Sequence, residues 1–337
     1  MITPPKLKDP RLGLRTSATF ATIFVILGHT VFGFEQPLAA VLVALVTGYS
    51  CALFFEWVDS RANGIPPCYV GGGFSKVVDF LLSPHMTSIT LSFLFYFNRR
   101  LWIMAFAVAL AIGSKYVLRV PVDGRLRHFM NPSNLALAVV LACYTWTGVL
   151  PWAYTIDLPG AWKWIVPLII VALGMRLNLL FTGRLPTIAA WLGTFVLLAF
   201  FRTWYRGSPI TAELVVLTGI PMVLFTLYMI TDPQTSPSSF RSQILFGSGI
   251  AVAYCILLLI RIQYTMFYSV TAVCAIRGIY LTALLLRARF LKPAAASVAL
   301  TASSAVPSLA LADSYPTMAG GAASLREEPS AVLSSNG

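Results

Sequence analysis

Long apolar runs separated by short polar stretches dominate the chain. They cover residues 17–34, 37–57, 77–97, 101–118, 135–152, 162–181, 187–204, 214–230, 243–260 and 264–286. A helix crossing the ~30 Å hydrocarbon core of a bilayer needs about 20 predominantly apolar residues. Each run therefore reads as one span, and the chain as an all-α integral membrane protein, a bundle of ten transmembrane helices. That number is compatible with two five-helix inverted repeats. Several runs are short for a full crossing, which predicts tilting or local thinning of the bilayer. Ser83-Pro84-His85 lies inside the third run and predicts an interruption there, since proline removes a helical hydrogen bond.

Only 11% of the residues are charged, against roughly 25% in a soluble domain, so most of the surface must meet lipid. The net charge of +12 does not point to nucleic acid as a partner, because the basic residues sit in short loops and form no basic domain with interleaved aromatics. Their distribution instead gives an orientation. With the N-terminus placed in the cytoplasm, the inner side receives Lys6, Lys8, Arg11, Arg15, Arg61, Lys76, Lys115, Arg119, Arg125, Arg127, Arg176, Arg184, Arg241, Arg287, Arg289, Lys292 and Arg326. The outer side receives only Arg99, Arg100, Lys163, Arg202, Arg206 and Arg261. This asymmetry predicts a multi-pass protein of a bacterial plasma membrane with both ends cytoplasmic, which requires an even number of spans.

The organisation that follows is a cytoplasmic N-terminal segment (1–16), a membrane domain (17–290) and a cytoplasmic tail (291–337). The tail is rich in Ala, Ser and Pro, lacks core-forming aromatics, and is expected to be disordered. Met1–Arg15 is polar and basic with three prolines and shows no cleavage site, so no signal peptide is expected. Cys51, Cys68, Cys143, Cys255 and Cys274 are dispersed and form no CxxC pair.

Two polar loops stand out from this background as candidate ligand-binding positions. One, between the fourth and fifth runs, holds His128-Phe-Met-Asn131-Pro132-Ser133-Asn134. The other, between the eighth and ninth, holds Thr231-Asp232-Pro233-Gln-Thr235-Ser-Pro-Ser-Ser-Phe-Arg241. Each sets Asn or Asp before Pro at the expected start of a helix, so Asn131 and Asp232 read as N-caps with proline in the first turn. Helix N-termini at membrane depth also present free N–H groups and a positive dipole end, which suits phosphate, flavin or quinone oxygens. By parity both loops face the cytoplasm and are expected to line one polar vestibule, with Arg125, Arg127 or Arg241 compensating Asp232. His29 and His85 lack carboxylates at helical spacing and predict hydrogen-bonded interhelical histidines, not metal ligands. Asp79 and Arg277 are candidates for an interhelical ion pair. No catalytic triad, Walker loop or zinc-protease motif is present, so no catalytic residue is assigned.

These loops also carry a resemblance. Ala111-Ile-Gly-Ser-Lys115 followed by His128-Phe-Met-Asn131-Pro132-Ser-Asn-Leu resembles the "IGK … FNPA" signature of the NqrB/RnfD family, the ten-helix membrane subunits of sodium-pumping quinone reductase and of the Rnf complex. Tyr228-Met-Ile-Thr231-Asp232-Pro233-Gln-Thr-Ser is similar to that family's "ATDPVT" signature, and the likeness runs over roughly residues 20 to 287. The forms "FMNPSN" and "MITDPQTSP" are closer still to the UnbU-type members of enediyne biosynthesis clusters. The resemblance implies membrane electron transfer or ion-coupled transport, working beside other electron-transfer subunits, with FMN, riboflavin or a quinone held without a covalent bond. Covalent FMN is not expected. The family's attachment threonine would fall in the loop Pro151-Trp-Ala-Tyr-Thr155-Ile-Asp157, which lacks the Ser/Gly-Ala-Thr motif. Ser17-Ala18-Thr19 lies on the opposite side, before the first span. Loss of that motif leaves two alternatives: a small-molecule transporter or export component for a secondary metabolite, or a non-catalytic membrane scaffold.

Overall fold

The computed structural model describes residues 9–34, 36–122, 124–149 and 160–303. Every apolar run is at least partly helical. The elements are α1 (Pro10–Thr30), α2 (Leu38–Asn63), α3 (Gly73–Leu94), β1 (Phe95–Tyr96), α4 (Leu101–Val117), β2 (Arg119–Val122), β3 (Arg125–His128), α5 (Pro132–Cys143) and β4 (Gly148–Val149). They continue with α6 (Trp162–Leu177) and its π turn Asn178–Thr182, α7 (Leu185–Arg206), α8 (Ile210–Leu214) with the 3-10 turn Val215–Thr218, α9 (Ile220–Leu224) with the π turn Phe225–Met229, α10 (Phe240–Leu259) and α11 (Thr265–Ser303).

Among the described residues seven helices are long and apolar enough to cross a bilayer, and an eighth results if the bent α8–α9 pair counts as one span. Their outward faces are apolar: Ile26 of α1, Val46 of α2, Leu197 and Phe200 of α7, and Ile276 and Ile279 of α11 are all more than half exposed. Apolar rows of this kind on helix after helix need lipid, not water, as solvent. The fold is that of a multi-pass α-helical membrane protein.

Four departures from the sequence expectation have physical causes. First, α3 runs unbroken through Pro84. The proline costs only the bond to the Phe80 carbonyl, and a helix packed against neighbours tolerates that loss. Second, the eighth run is two helices meeting at a 67° bend. Gly219 takes an extended conformation there, and Pro221 starts the second piece within its first turn. Third, α5 ends at Cys143 instead of continuing to 152, and at 1.5 Å per residue its 12 residues span about 18 Å, short of a full crossing. The chain then pairs Gly148 and Val149 with Tyr96 and Phe95, which satisfies backbone groups that no longer belong to a helix. Fourth, residues 119–122 and 125–128, expected as loop, pair as antiparallel strands from Arg119↔His128 to Val122↔Arg125. Gly124 at φ +74° supplies a left-handed turn position.

The bundle core lies where α2 packs on α3 and α4, α4 on α5, and α7 on α10. Trp191 anchors it, with rings of Phe195, Phe225 and Tyr254 within 5.2–5.8 Å, and its indole N–H donates to Thr226 Oγ1 at 3.0 Å. The residues up to Leu286 form one compact unit. In the second unit the backbone is helical from Arg287 to Ser303.

Candidate functional site

The two signature loops meet. Asn131 caps α5, its side chain accepting from the Asn134 amide at 3.1 Å, and Pro132 occupies the first turn, as their sequence predicts. The other end of the Asn131 side chain crosses to the second loop, where Nδ2 donates to the Met229 carbonyl at 3.2 Å. That carbonyl needs an outside donor. Its α-helical partner would be the amide of residue 233, and residue 233 is proline.

Asp232 does not cap a helix. Its carboxylate accepts from the Gln234 amide and the Thr235 hydroxyl, both at 3.1 Å, closing a local turn. The N-cap of α10 is Ser239, seven residues on. Of the expected arginine partners, Arg127 and Arg241 make no ion pair with Asp232, and the Arg125 side chain lies outside the described residues. The Asp232 carboxylate acts at longer range on Lys115, His128 and Arg184. Arg241 stands exposed on the first turn of α10, and among the described residues its side chain has no ion-pair partner.

Two arginines that the sequence pattern did not single out for this site hold the second loop instead. Arg184, 6% exposed, donates to the Pro233 and Ser236 carbonyls at 3.3 and 3.4 Å. Arg277 donates to the Thr235 carbonyl at 2.9 Å, so it is not the partner of Asp79. Asp79 pairs with Arg15, at 2.7 and 2.8 Å. Thr231 donates to the Leu227 carbonyl at 2.7 Å, which also receives Asn178 Nδ2 at 2.8 Å. The first loop reaches α11 because Gly278 lies under the Phe129 ring, where any Cβ would overlap it.

Asn134 is the exception to this satisfaction. It is wholly buried, yet neither Oδ1 nor Nδ2 has a partner. Arg184 Nε is likewise buried and unpaired. Asn131, Pro132 and Ser133 beside it are buried, as are Thr231 and Thr235, while Pro233 is exposed. The first loop thus leaves the Asn134 carboxamide unpaired at the N-terminus of α5, and the arginine that holds the second loop leaves its Nε unpaired.

His128, at the end of β3, borders the junction. Burial pushes its imidazole below the usual value of 6.5, with Lys115 and Arg119 acting in the same direction and Asp232 against them. A base whose folded value is depressed stabilises the fold fully above the unfolded value and loses that contribution as pH falls. The thermal midpoint is expected to drop as pH is lowered from about 7.5 to about 5.5, and His128→Gln should flatten that slope. An unchanged slope in the variant would assign the pH dependence to other groups.

The remaining candidates play structural parts. His85 joins three helices, lying 2.8 Å from Thr22 Oγ1 and 2.6 Å from Tyr49 Oη. His29 bonds the Val25 and Gln36 carbonyls. Among the described residues no group of three metal-ligating side chains occurs. Ser17 and Thr19 donate to carbonyls one turn back in α1. Thr155 and Asp157 lie outside the described residues. All five cysteines are free.

No family model matches this chain, and no curated protein matches it significantly.

Proposed function

We propose that this chain is an NqrB/RnfD-like protein of a bacterial plasma membrane, with ten spans and both ends cytoplasmic. In this reading it holds a flavin or quinone non-covalently at the junction of its two signature loops. Its work is electron transfer or ion-coupled transport beside other membrane subunits, and the UnbU-type likeness supports a place in enediyne biosynthesis.

The observation that carries the reading is the Asn134 side chain, buried with both polar atoms unpaired in the loop whose sequence bears the resemblance. A carboxamide offers a donor and an acceptor side by side, which matches the imide edge of an isoalloxazine and, through Nδ2 alone, a quinone carbonyl. The positive end of α5 and the guanidinium of Arg184 favour added negative charge on such a ring. A bound flavin or quinone would supply the electron-accepting chemistry. The protein's own part is to orient it and to bias its charge.

The second reading, a transporter or export component, has its own support in the 67° bend between α8 and α9, since discontinuous helices line substrate sites in transporters. An absorption spectrum of the detergent-purified protein separates the two. A cofactor protein shows visible flavin bands, or yields a quinone on solvent extraction, and denaturation releases the cofactor from the chain. A colourless protein with an empty extract overturns the cofactor reading.

A further inference from the structure

A second feature lies apart from Asn134, in the wall made by α2, α3 and α4. Ala52, Phe80, Pro84 and Ile112 enclose a cavity of about 160 Å³, and Ser83, Lys115 and Tyr116 complete its lining. Ser83 is exposed, so the cavity opens to the outside of the bundle. A cavity of about 150 Å³ holds one benzene ring.

The polar chemistry of this cavity is unbalanced. The Lys115 ammonium touches only neutral oxygens: Thr87 Oγ1 at 2.8 Å, Ser83 Oγ at 3.0 Å and the Ser83 carbonyl at 3.4 Å. The acids that α2 and α3 bring to this region are already engaged. Asp59 pairs with Arg119, and Asp79 with Arg15. Glu56 accepts from the Cys68 amide at 2.8 Å and from the Tyr116 hydroxyl at 3.3 Å. A cation in an apolar wall is costly unless it is paired; among the described residues no carboxylate lies within 4.0 Å of this one, and Asp232 acts on it only from longer range.

We propose that this cavity is a binding site for a lipophilic acid, whose carboxylate or phenolate oxygen pairs with Lys115 while a single ring or a stretch of alkyl chain fills the space between Phe80, Pro84 and Ile112. The hydroxyls of Ser83 and Thr87 hold the ammonium in place for it. The site does not depend on a flavin or quinone at the loop junction. Its ligand has two sources, the bilayer or the aqueous phase.

The test uses the full-length protein in lipid nanodiscs, titrated with benzoate, with oleate, and with the neutral amides benzamide and oleamide, by calorimetry. At least one acid should bind ten-fold or more tightly than its amide. Lys115→Met should abolish that preference, whereas Lys115→Arg should keep most of it. Ala52→Leu, which narrows the cavity and leaves the charge untouched, should weaken the acid ten-fold or more. Binding of oleate alone assigns a bilayer source, and binding of benzoate alone an aqueous one. Equal binding of acid and amide, no binding of either acid, or an acid preference that survives Lys115→Met would each overturn the proposal.

Discussion

Arg202→Met is expected to destabilise the protein by about 3–5 kcal/mol, the largest single effect anticipated away from the loop junction. Arg202 of α7 and Glu213 of α8 form an ion pair at 2.6 Å with side chains only 1% and 9% exposed. Ser208 supports the carboxylate at 3.0 Å, and the guanidinium lies 5.0 Å from the centre of the Phe195 ring. Removing the cation strands a buried carboxylate, whereas removing both charges strands nothing. Arg202→Met with Glu213→Leu should therefore recover most of the loss. Arg202 Nη1 has no partner of its own, which limits what the intact pair contributes and makes that recovery more complete. Thermal unfolding in detergent of the two single variants and the double variant checks this. A double variant no more stable than the singles would show that the charges are not acting as a pair.

Asn134→Leu has an expected sign that depends on whether the junction is occupied. In cofactor-free protein the buried amide is unpaired, and an unpaired polar group costs about 1–3 kcal/mol, so a leucine of similar size should stabilise the chain. With flavin at about 100 times its dissociation constant, the wild type should gain about 2.7 kcal/mol. The variant should gain none. Unfolding midpoints with and without riboflavin measure both effects. A variant that is less stable than wild type without ligand, and equally stabilised by it, would remove Asn134 from the site.

The helical membrane architecture was legible because hydrophobic run length is a direct physical requirement of lipid. Asn131 and Pro132 were legible for the same kind of reason: capping chemistry is local, and their roles in α5 follow from adjacent residues. Asp232 misled because the same Asx-Pro pattern also closes a turn, and Ser239 starts the following helix instead. The bend at Gly219-Ile-Pro221 and the β2–β3 pairing had sequence signals, a glycine close to a proline and an Asp-Gly dipeptide. Both were masked by the surrounding apolar runs or by the short strand lengths. The partners of Arg184, Arg277, Asp79 and Glu213 were not legible, since contacts between helices depend on rotation and tilt that hydropathy does not encode. In the sequence Lys115 figured as part of a motif and as one of the inner-side basic residues. That no carboxylate stands within ion-pair distance of it became visible once Glu56, Asp59 and Asp79 were seen to be engaged elsewhere.

The central claim is that the two loops form one junction at one face of a membrane bundle, on the cytoplasmic side. Their contact through Asn131 and the Met229 carbonyl requires them to share a side, and the basic-residue asymmetry predicts that this side is the cytoplasm. The most direct measurement is a pair of reporter fusions, one after Arg127 and one after Ser238, each carrying both a cytoplasmically active and a periplasmically active reporter. Both fusions should be active only through the cytoplasmic reporter. Activity of either fusion in the periplasm, or of the two on opposite sides, would contradict the account.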